Sequence, residues 1–331
     1  MTTALVLGAT GFIGGHLARA ALGRGWQVRG LRRRPGAVGH LGQEPVAWYG
    51  GDLDRPASLQ PAFDGADIVF HAAGYYPRSG APLARQVAHA VRQTRTVLEA
   101  VRRGGASRLV YISSLTTIGH PPPGENRLAD ERDLYTPGSL ARSAYYECKY
   151  AMESEVLRAD VGLPCVAVNP TAVLGPGDVH LTLARFLLAV ARGWALAWLP
   201  AQLNVVDARD VAQATLRAAE VGRPGERYLL GGHNLSLKEL MTRACRLTGV
   251  APPRFELPLW LADLAVFLSD WLPPLRLAGN HLRAIRWWQG YNCDKARREL
   301  GLSARPLATT LTEAFEWLAS QGYRVSARSV V

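Results

Sequence analysis

Short apolar runs alternate along the chain with longer segments whose apolar residues recur at helical spacing. The run Ala4–Leu7 ends at a glycine and predicts a buried strand, whereas Ile13–Leu22 has the apolar periodicity of a helix. Strands that alternate with helices are typical of an α/β protein, so we predict a doubly wound parallel sheet with helices on both faces. The same pattern predicts further strands at 27–31, 46–48, 68–71, 109–113 and 165–169, and helices at 58–63, 83–103 and 145–160.

The alternation becomes irregular after Gly177, and the rest of the chain is rich in Leu, Trp and Pro. Two apolar runs in this half, 203–206 and 227–230, have the composition of strands. They either return to the large sheet or form a small second one. We therefore expect a large domain of residues 1–177 and a smaller C-terminal lobe of residues 178–202 and 231–331. Residues 203–230 either return to the large domain or form the small second sheet.

Composition excludes several classes of protein. Of the 331 residues, 48% are hydrophobic and 20% are charged, so the chain can bury a large core and is not expected to be disordered. The net charge is +11, but the basic residues are scattered apart from Arg32–Arg34, and we expect no nucleic acid partner. Four widely spaced cysteines predict no metal site and favour a reducing cytoplasm. We expect no signal peptide, and no uncharged stretch reaches the roughly 20 apolar residues of a membrane span.

The residues between the first strand and the first helix, Gly8 to Gly14, have the pattern G-x-x-G-x-x-G. Glycine allows a tight turn and lets a diphosphate approach the backbone N–H groups closely. The N-terminus of the following helix adds a partial positive charge. Such a pattern also occurs in plain strand–helix turns, but its place in a strand–turn–helix unit predicts dinucleotide binding.

A second pattern, Y-x-x-x-K, occurs at Tyr145 and Lys149. On a helix these positions share one face, so both side chains can point into one site. A free tyrosine, with a pKa near ~10, is a poor base at neutral pH. A nearby ammonium and a cationic nicotinamide favour its phenolate form, so it can donate or accept a proton while a hydride arrives or leaves. Tyr146 and Tyr150 have no lysine four residues later, and we assign them to packing or to a pocket wall.

The end of the second strand indicates which dinucleotide binds. An acidic residue there would bind both ribose hydroxyls and repel a 2′-phosphate. This chain has Arg32-Arg33-Arg34 instead, with no Asp or Glu between Trp26 and Gln43. Guanidinium groups bind phosphate through two hydrogen bonds, so we predict NADP(H) rather than NAD, with Arg32 and Arg33 as the contacts. A solvated basic loop is the alternative.

Together, the glycine spacing, the Y-x-x-x-K pair and Gly51-Asp52-Leu53 resemble the extended branch of the short-chain dehydrogenase/reductase superfamily, which includes the NAD-dependent epimerase/dehydratase family. Many sugar-nucleotide epimerases of this branch carry Arg where this chain has Asn169. The Asn169-Pro170 form is instead similar to dihydroflavonol reductases, cinnamoyl-CoA reductases and a bacterial hopanoid-associated sugar epimerase. The resemblance covers nearly the whole chain and implies a Rossmann-type sheet with a smaller substrate lobe.

The resemblance also implies the site residues. Ser114 would orient the carbonyl or alcohol, Tyr145 would act as general acid/base, and Lys149 would tune the tyrosine and hold the nicotinamide ribose. Ser113 is the alternative serine. The residues expected to bind the cofactor are Gly8, Thr10, Gly11, Phe12, Ile13, Gly14, Arg32, Arg33, Asp52, Leu53, Ala72, Ala73, Gly74, Tyr145, Lys149, Pro170, Thr171, Ala172 and Val173.

The expected activity is reversible reduction of a ketone or aldehyde by NADP(H). One alternative is sugar epimerisation, in which the same hydride returns to the opposite face, and another is a non-catalytic NADP(H) sensor. The loop with Tyr76 and Arg78 either contacts substrate or is simply exposed. Members of the family often pair through two helices, here roughly 83–103 and 145–160, and the sequence leaves a homodimer open. The late tryptophans either pack the lobe or line a pocket for an apolar or aromatic carbonyl. They are Trp194, Trp198, Trp260, Trp271, Trp287 and Trp288.

Overall fold

The computed structural model of the protein describes residues 1–77, 81–140, 143–159, 162–271 and 284–325, with only the backbone for 268–271. The strands are β1 (Thr3–Leu7), β2 (Gln27–Arg32), β3 (Val46–Gly50), β4 (Ile68–His71), β5 (Arg108–Ile112), β6 (Cys165–Pro170), β7 (Ala172–Leu174), β8 (Ala197–Trp198), β9 (Gln202–Asp207), β10 (Arg227–Leu230), β11 (His233–Ser236) and β12 (Phe255–Glu256). The α-helices are α1 (Phe12–Gly23), α2 (Gln60–Phe63), α3 (Leu83–Gly104), α4 (Ala144–Arg158), α5 (Ala184–Ala191), α6 (Ala208–Val221), α7 (Leu237–Thr248), α8 (Leu259–Trp271), α9 (Asp294–Leu300) and α10 (Leu307–Ser320).

The main sheet has seven strands in the order β3-β2-β1-β4-β5-β6-β10. Every neighbouring pair in it is parallel. The chain builds outward from β1 to β3 on one side and from β4 to β10 on the other, so the strand order reverses between β1 and β4. In open sheets of this kind, ligands bind outside the carboxyl ends of the strands at that reversal. The α/β fold with a doubly wound parallel sheet, predicted from the sequence, is confirmed.

Strand β1 lies in the middle of this sheet and is buried on both faces. Ala4 and Val6 point into a core that also contains residues of α1 and α6, while Leu5 and Leu7 point into a second core with residues of α3 and α4. On one face α1 packs against α6, and on the other α3 packs against α4. Because alternate residues of a strand face opposite sides, a strand covered twice needs the uninterrupted apolar run that the sequence shows here.

A third core holds the later part of the chain together. Strands β7, β9 and β11 form a small sheet in which β9 runs parallel to β7 and antiparallel to β11. Helices α5, α7 and α10 cover it with buried residues such as Leu187, Leu240 and Phe315. In the described part of the chain, no helix is both long enough and apolar enough to cross a bilayer.

Candidate active site

The turn that follows β1 has two positions with no room for a side chain. Gly8 has a φ of +86°, and a Cβ on it would lie 2.9 Å from the carbonyl carbon of Ala72. A Cβ on Gly14 would collide with the carbonyl oxygen of Gly8. The Gly11 amide donates a hydrogen bond to that same oxygen at 2.9 Å, and Gly11 then caps α1. This close packing brings the N-terminus of α1, with its orphan N–H groups, directly to the edge of the sheet.

The other predicted cofactor-binding segments lie at the same edge. Arg32 is the last residue of β2, Asp52–Leu53 follows β3, Ala72–Gly74 follows β4, and Pro170–Val173 runs from the end of β6 into β7. Parallel strands bring all their carboxyl ends to one edge, so the topology gathers segments that are distant in sequence.

Helix α4 places Tyr145 and Lys149 at this edge as well. Both side chains are half-buried. A Cβ on Gly74 would lie 3.3 Å from Nζ of Lys149, so the ammonium sits close to the Gly74 backbone. Gly74 is two residues after Ala72, which itself packs against Gly8. The lysine therefore faces the cleft beside the glycine turn and not bulk water.

Ser114 lies next to the tyrosine. It caps the short 3₁₀ helix Leu115–Thr117, and its hydroxyl accepts a hydrogen bond from the Thr116 amide at 3.3 Å. The Ser114 side chain is also close enough to Tyr145 to act on the pKa of its hydroxyl. The Ser113 hydroxyl is buried and has no hydrogen-bond partner within the described residues. The structure thus brings Ser114, and not Ser113, to Tyr145.

Burial is the largest influence on the pKa values of Tyr145 and Lys149. It lowers the pKa of Lys149 to about 8 and raises the pKa of Tyr145, while the Ser114 side chain favours the phenolate and opposes that rise. From the sequence we expect a lowered tyrosine pKa, caused by the ammonium together with a cationic nicotinamide. In the protein alone desolvation is the larger effect, so Tyr145 carries its proton at neutral pH and is ready to act as an acid.

Of the three arginines at the end of β2, Arg32 packs against a neighbouring ring, whereas Arg33 and Arg34 are exposed. The guanidinium of Arg32 lies 5.3 Å from the centroid of the Trp48 ring. Arg33 and Arg34 are exposed, and within the described residues neither side chain makes a hydrogen bond or an ion pair. Asp52 accepts a hydrogen bond from the Asp54 amide at 3.1 Å, which closes the turn after β3. Two arginines therefore remain available to an anion at this end of the cleft.

Aromatic rings surround Tyr145. The ring centroids of Tyr76 and Tyr146 lie 5.2 Å and 6.5 Å from that of Tyr145. Tyr146 in turn lies 5.4 Å from Tyr135, whose ring is 6.2 Å from that of Trp287. Tyr76 thus contacts the predicted catalytic tyrosine, whereas Arg78 of the same loop lies outside the described residues.

The other late tryptophans lie elsewhere. Trp194 and Trp260 are 70% and 59% exposed, so they do not line an enclosed pocket. Trp198 and Trp288 pack against the core of the lobe. The side chain of Trp271 lies outside those the structure describes. Of the described members of this group, Trp287 is the one in the aromatic cluster beside Tyr145.

These residues fit a dinucleotide. The glycine turn leaves open the space that side chains would fill, next to the N-terminus of a twelve-residue helix. Exposed guanidinium groups lie after β2, and the Lys149 ammonium of α4 lies beside the segment after β4, so the two sites of positive charge are on opposite sides of the strand-order reversal.

Comparison with known proteins agrees with this geometry. The family described as "NAD dependent epimerase/dehydratase family" matches residues 4–231. The chain belongs to this family. A protein of Synechocystis sp. named for dihydroflavonol 4-reductase is 31% identical over 331 residues, covering 96% of this chain and 95% of its own. Sterol demethylase protein B of Methylococcus capsulatus is also 31% identical, covering 97% of this chain and 99% of its own.

A solved structure extends the comparison. The crystal structure of a nucleoside-diphosphate-sugar epimerase from Pseudomonas aeruginosa is 29% identical with a TM-score of 0.83, and the match covers 97% of this chain and 99% of that one. Proteins similar to this chain thus include ones named as reductases and ones named as epimerases. The predicted membership of the extended short-chain dehydrogenase/reductase branch is confirmed, and so is the prediction of an enzyme of that kind.

Several polar side chains near Lys149 are not predicted from the sequence of this epimerase/dehydratase-family protein. His71 and Tyr111 are buried next to Lys149, and their Nδ1 and hydroxyl groups lack hydrogen-bond partners within the described residues. Glu153, one helical turn beyond Lys149, is buried as well. The spacing of Tyr145, Lys149 and Glu153 by four residues each was a visible signal, because such positions share a helix face.

Gly14→Ala tests the tight turn. Its Cβ would collide with the Gly8 carbonyl, so we expect a lower melting temperature and loss of any stabilisation by an added nicotinamide dinucleotide. Gly23→Ala in the same helix is the control, since a Cβ there meets nothing within 4 Å and alanine favours a helix by up to about 1 kcal/mol. Thermal melts with and without NADPH measure both. A Gly14→Ala protein with wild-type stability and response would contradict this account of the turn.

Lys149→Met tests the burial of the ammonium. The folded-state pKa of about 8 lies below the ordinary value of 10.5, so the unfolded chain binds more protons between these pH values. Wild-type stability should therefore rise from about pH 8 to pH 10.5 relative to Lys149→Met. Below pH 8 the variant should be the more stable protein, because it no longer buries a charge. Denaturant unfolding across this pH range, without cofactor, gives the difference; a difference independent of pH would rule out a desolvated lysine.

Proposed function

We propose that the protein is an NADP(H)-dependent reductase that reversibly reduces a ketone or aldehyde on an apolar or aromatic substrate. The observation that carries the proposal is the meeting of three groups beside the glycine turn. They are the Ser114 hydroxyl, the neighbouring Tyr145 hydroxyl and the Lys149 ammonium against Gly74.

Each of these side chains has a distinct role in the proposed reaction. Ser114 donates a hydrogen bond to the substrate carbonyl and holds it next to Tyr145. Tyr145 then donates its proton to the carbonyl oxygen, and its raised pKa keeps that proton in place at neutral pH until it is needed. Lys149 binds the nicotinamide ribose and stabilises the phenolate that forms, which lowers the energy of the transition state. The dinucleotide, when bound, supplies the hydride.

The residues beside Tyr145 support an apolar or aromatic substrate. The rings of Tyr76 and Tyr146 lie next to the Tyr145 ring, and Trp287 packs against the same aromatic cluster. Such rings bind flat apolar groups by stacking and by burial. The name of the Synechocystis relative, dihydroflavonol 4-reductase, denotes reduction of a ketone on an aromatic scaffold.

The preference for NADP(H) over NAD rests on the arginines after β2. A 2′-phosphate is a dianion that exposed guanidinium groups bind through charge-assisted hydrogen bonds. Arg33 is exposed and has no partner among the described residues, and Arg32 is held at the end of β2 by Trp48. Neither has to break an ion pair before it binds phosphate.

Sugar epimerisation is a second candidate because the Pseudomonas aeruginosa structure is that of a nucleoside-diphosphate-sugar epimerase. The same three residues serve it, since the hydride taken from one face of the sugar returns to the other. Reduction leaves oxidised cofactor in solution, whereas epimerisation leaves the cofactor unchanged. Stoichiometric loss of NADPH with a carbonyl substrate therefore separates the two activities.

Tyr145→Phe tests the role of the tyrosine. With a panel of aromatic and aliphatic ketones and aldehydes, we expect the wild type to consume NADPH and the variant to lose about 10²–10⁴-fold in kcat. NADPH binding, measured by calorimetry, should change little, because the phenylalanine keeps the ring. Tyr146→Phe is the matched control and should keep most of the activity. A fully active Tyr145→Phe enzyme would remove the tyrosine from the mechanism.

Arg33→Ala tests the cofactor preference. Loss of a hydrogen bond between charged groups, worth about 1.5–3 kcal/mol, should weaken NADPH binding roughly 10- to 100-fold. NADH lacks the 2′-phosphate, so its dissociation constant should stay the same and serves as the control. Arg32→Ala and Arg34→Ala, measured in parallel, show which neighbour shares the phosphate. Equal losses for both cofactors would contradict phosphate recognition by Arg33.

A further inference from the structure

A cluster of buried polar side chains lies directly behind Ser114. Glu153 comes from α4, Asn169 from β6, Arg227 from β10 and Thr117 from the 3₁₀ helix after β5, and each is at most 8% exposed. The guanidinium of Arg227 forms an ion pair with the Glu153 carboxylate. The Thr117 hydroxyl donates a hydrogen bond to that carboxylate at 2.9 Å, and Nδ2 of Asn169 donates one at 2.5 Å. Three separate segments therefore converge on one carboxylate of α4.

The cluster also holds the backbone of Ser114. The Ser114 carbonyl oxygen accepts a hydrogen bond from Nδ2 of Asn169 at 3.3 Å and from the amide of Thr117 at 3.3 Å. Both donor residues are themselves bound to Glu153. The position of the serine is thus tied to the position of the carboxylate.

The carboxylate is carried by the helix that also carries the predicted acid. Tyr145, Lys149 and Glu153 are spaced by four residues and lie along one side of α4. Glu153 therefore links the helix of Tyr145 to the segment of Ser114, at a point two helical turns beyond Tyr145.

The cation of this pair lies on a strand of the main sheet. Here the guanidinium comes from β10, which pairs in parallel with β6 so that Arg227 lies beside Ala167. The neighbouring strand thus supplies the positive charge next to Asn169.

We propose that Glu153 and Arg227 are positioning residues, whose buried ion pair sets the separation of Ser114 and Tyr145 and thereby the rate of proton transfer. The inference rests on the proposed roles of Ser114 and Tyr145. A buried charge without its partner is strongly unfavourable, so the pair has few alternative arrangements and holds both elements in one register. Catalysis is sensitive to such positioning, because a shift of about 1 Å can lower a rate on the order of 10²-fold.

Stability and positioning can be separated, because an apolar pair of similar volume often replaces a buried ion pair without loss of stability. We would compare Glu153→Leu, Arg227→Met and the double variant Glu153→Leu/Arg227→Met. The matched control is Glu155→Gln, which removes the ion pair between Glu155 and Arg95 from the same helix but does not contact Ser114. The readouts are kcat and KM for a carbonyl substrate, KM for NADPH, thermal stability, and hydrogen exchange of the amides from Thr116 to Gly119.

We expect the single variants to lose stability because each leaves a buried charge unpaired. The double variant should regain stability and yet keep a kcat on the order of 10²-fold below wild type, with KM for NADPH within about twofold. Its amides from Thr116 to Gly119 should exchange faster, and Glu155→Gln should match the wild type in every readout. If the single variants do not fold, the double variant alone decides.

A stable double variant with wild-type kcat and wild-type exchange would overturn the proposal, since the pair would then only stabilise the fold. Loss of kcat with equal loss in Glu155→Gln would overturn it too. If the wild type reduces no carbonyl, the proposed function fails separately. Hydrogen exchange of the amides from Thr116 to Gly119 then still tests whether the ion pair positions Ser114.

Discussion

The site depends on a lysine ammonium held against the backbone of Gly74 in a poorly solvated cleft. Burial of Lys149 works against folding, and its pKa falls accordingly. The surrounding fold compensates, because α4 packs along α3 on one face of the sheet and keeps the lysine next to the segment after β4. The same placement puts Tyr145 beside Ser114 and near the glycine turn. A charge retained in such a place despite its desolvation is typical of a functional group.

The sheet explains why these groups meet at all. Residues of the cleft come from positions 8 to 173. Most of their segments lie at the carboxyl end of a parallel strand, and helix α4 brings Tyr145 and Lys149 to the same edge. Local sequence sets each strand and helix, but the parallel order brings the ends together at the reversal between β1 and β4. The glycine turn and the tyrosine–lysine pair therefore need no contact in sequence to form one site.

Much of this was visible in the sequence, and the rest was not for physical reasons. Strand β4 matches its predicted bounds because a short apolar run followed by His71 is too short for a helix. Helix α1 is predicted by the helical spacing of its apolar residues. The two-residue strands β8 and β12 were not predicted, since pairing with a distant segment defines them and their own sequence does not. The pair of Glu153 and Arg227 was missed for the same reason, because only the parallel pairing of β10 with β6 brings Arg227 to the helix. Likewise, the choice between Ser113 and Ser114 depends on which hydroxyl meets Tyr145, which the sequence sets only through the fold.

The central claim is that the cleft at the reversal of strand order carries hydride chemistry at Tyr145. A crystal structure of the protein with bound NADPH tests it most directly. The account predicts the diphosphate on the turn from Gly8 to Gly14, the Lys149 ammonium on the nicotinamide ribose, and the nicotinamide ring facing the hydroxyls of Ser114 and Tyr145. A dinucleotide bound elsewhere, or one whose nicotinamide faces away from Tyr145, would contradict it.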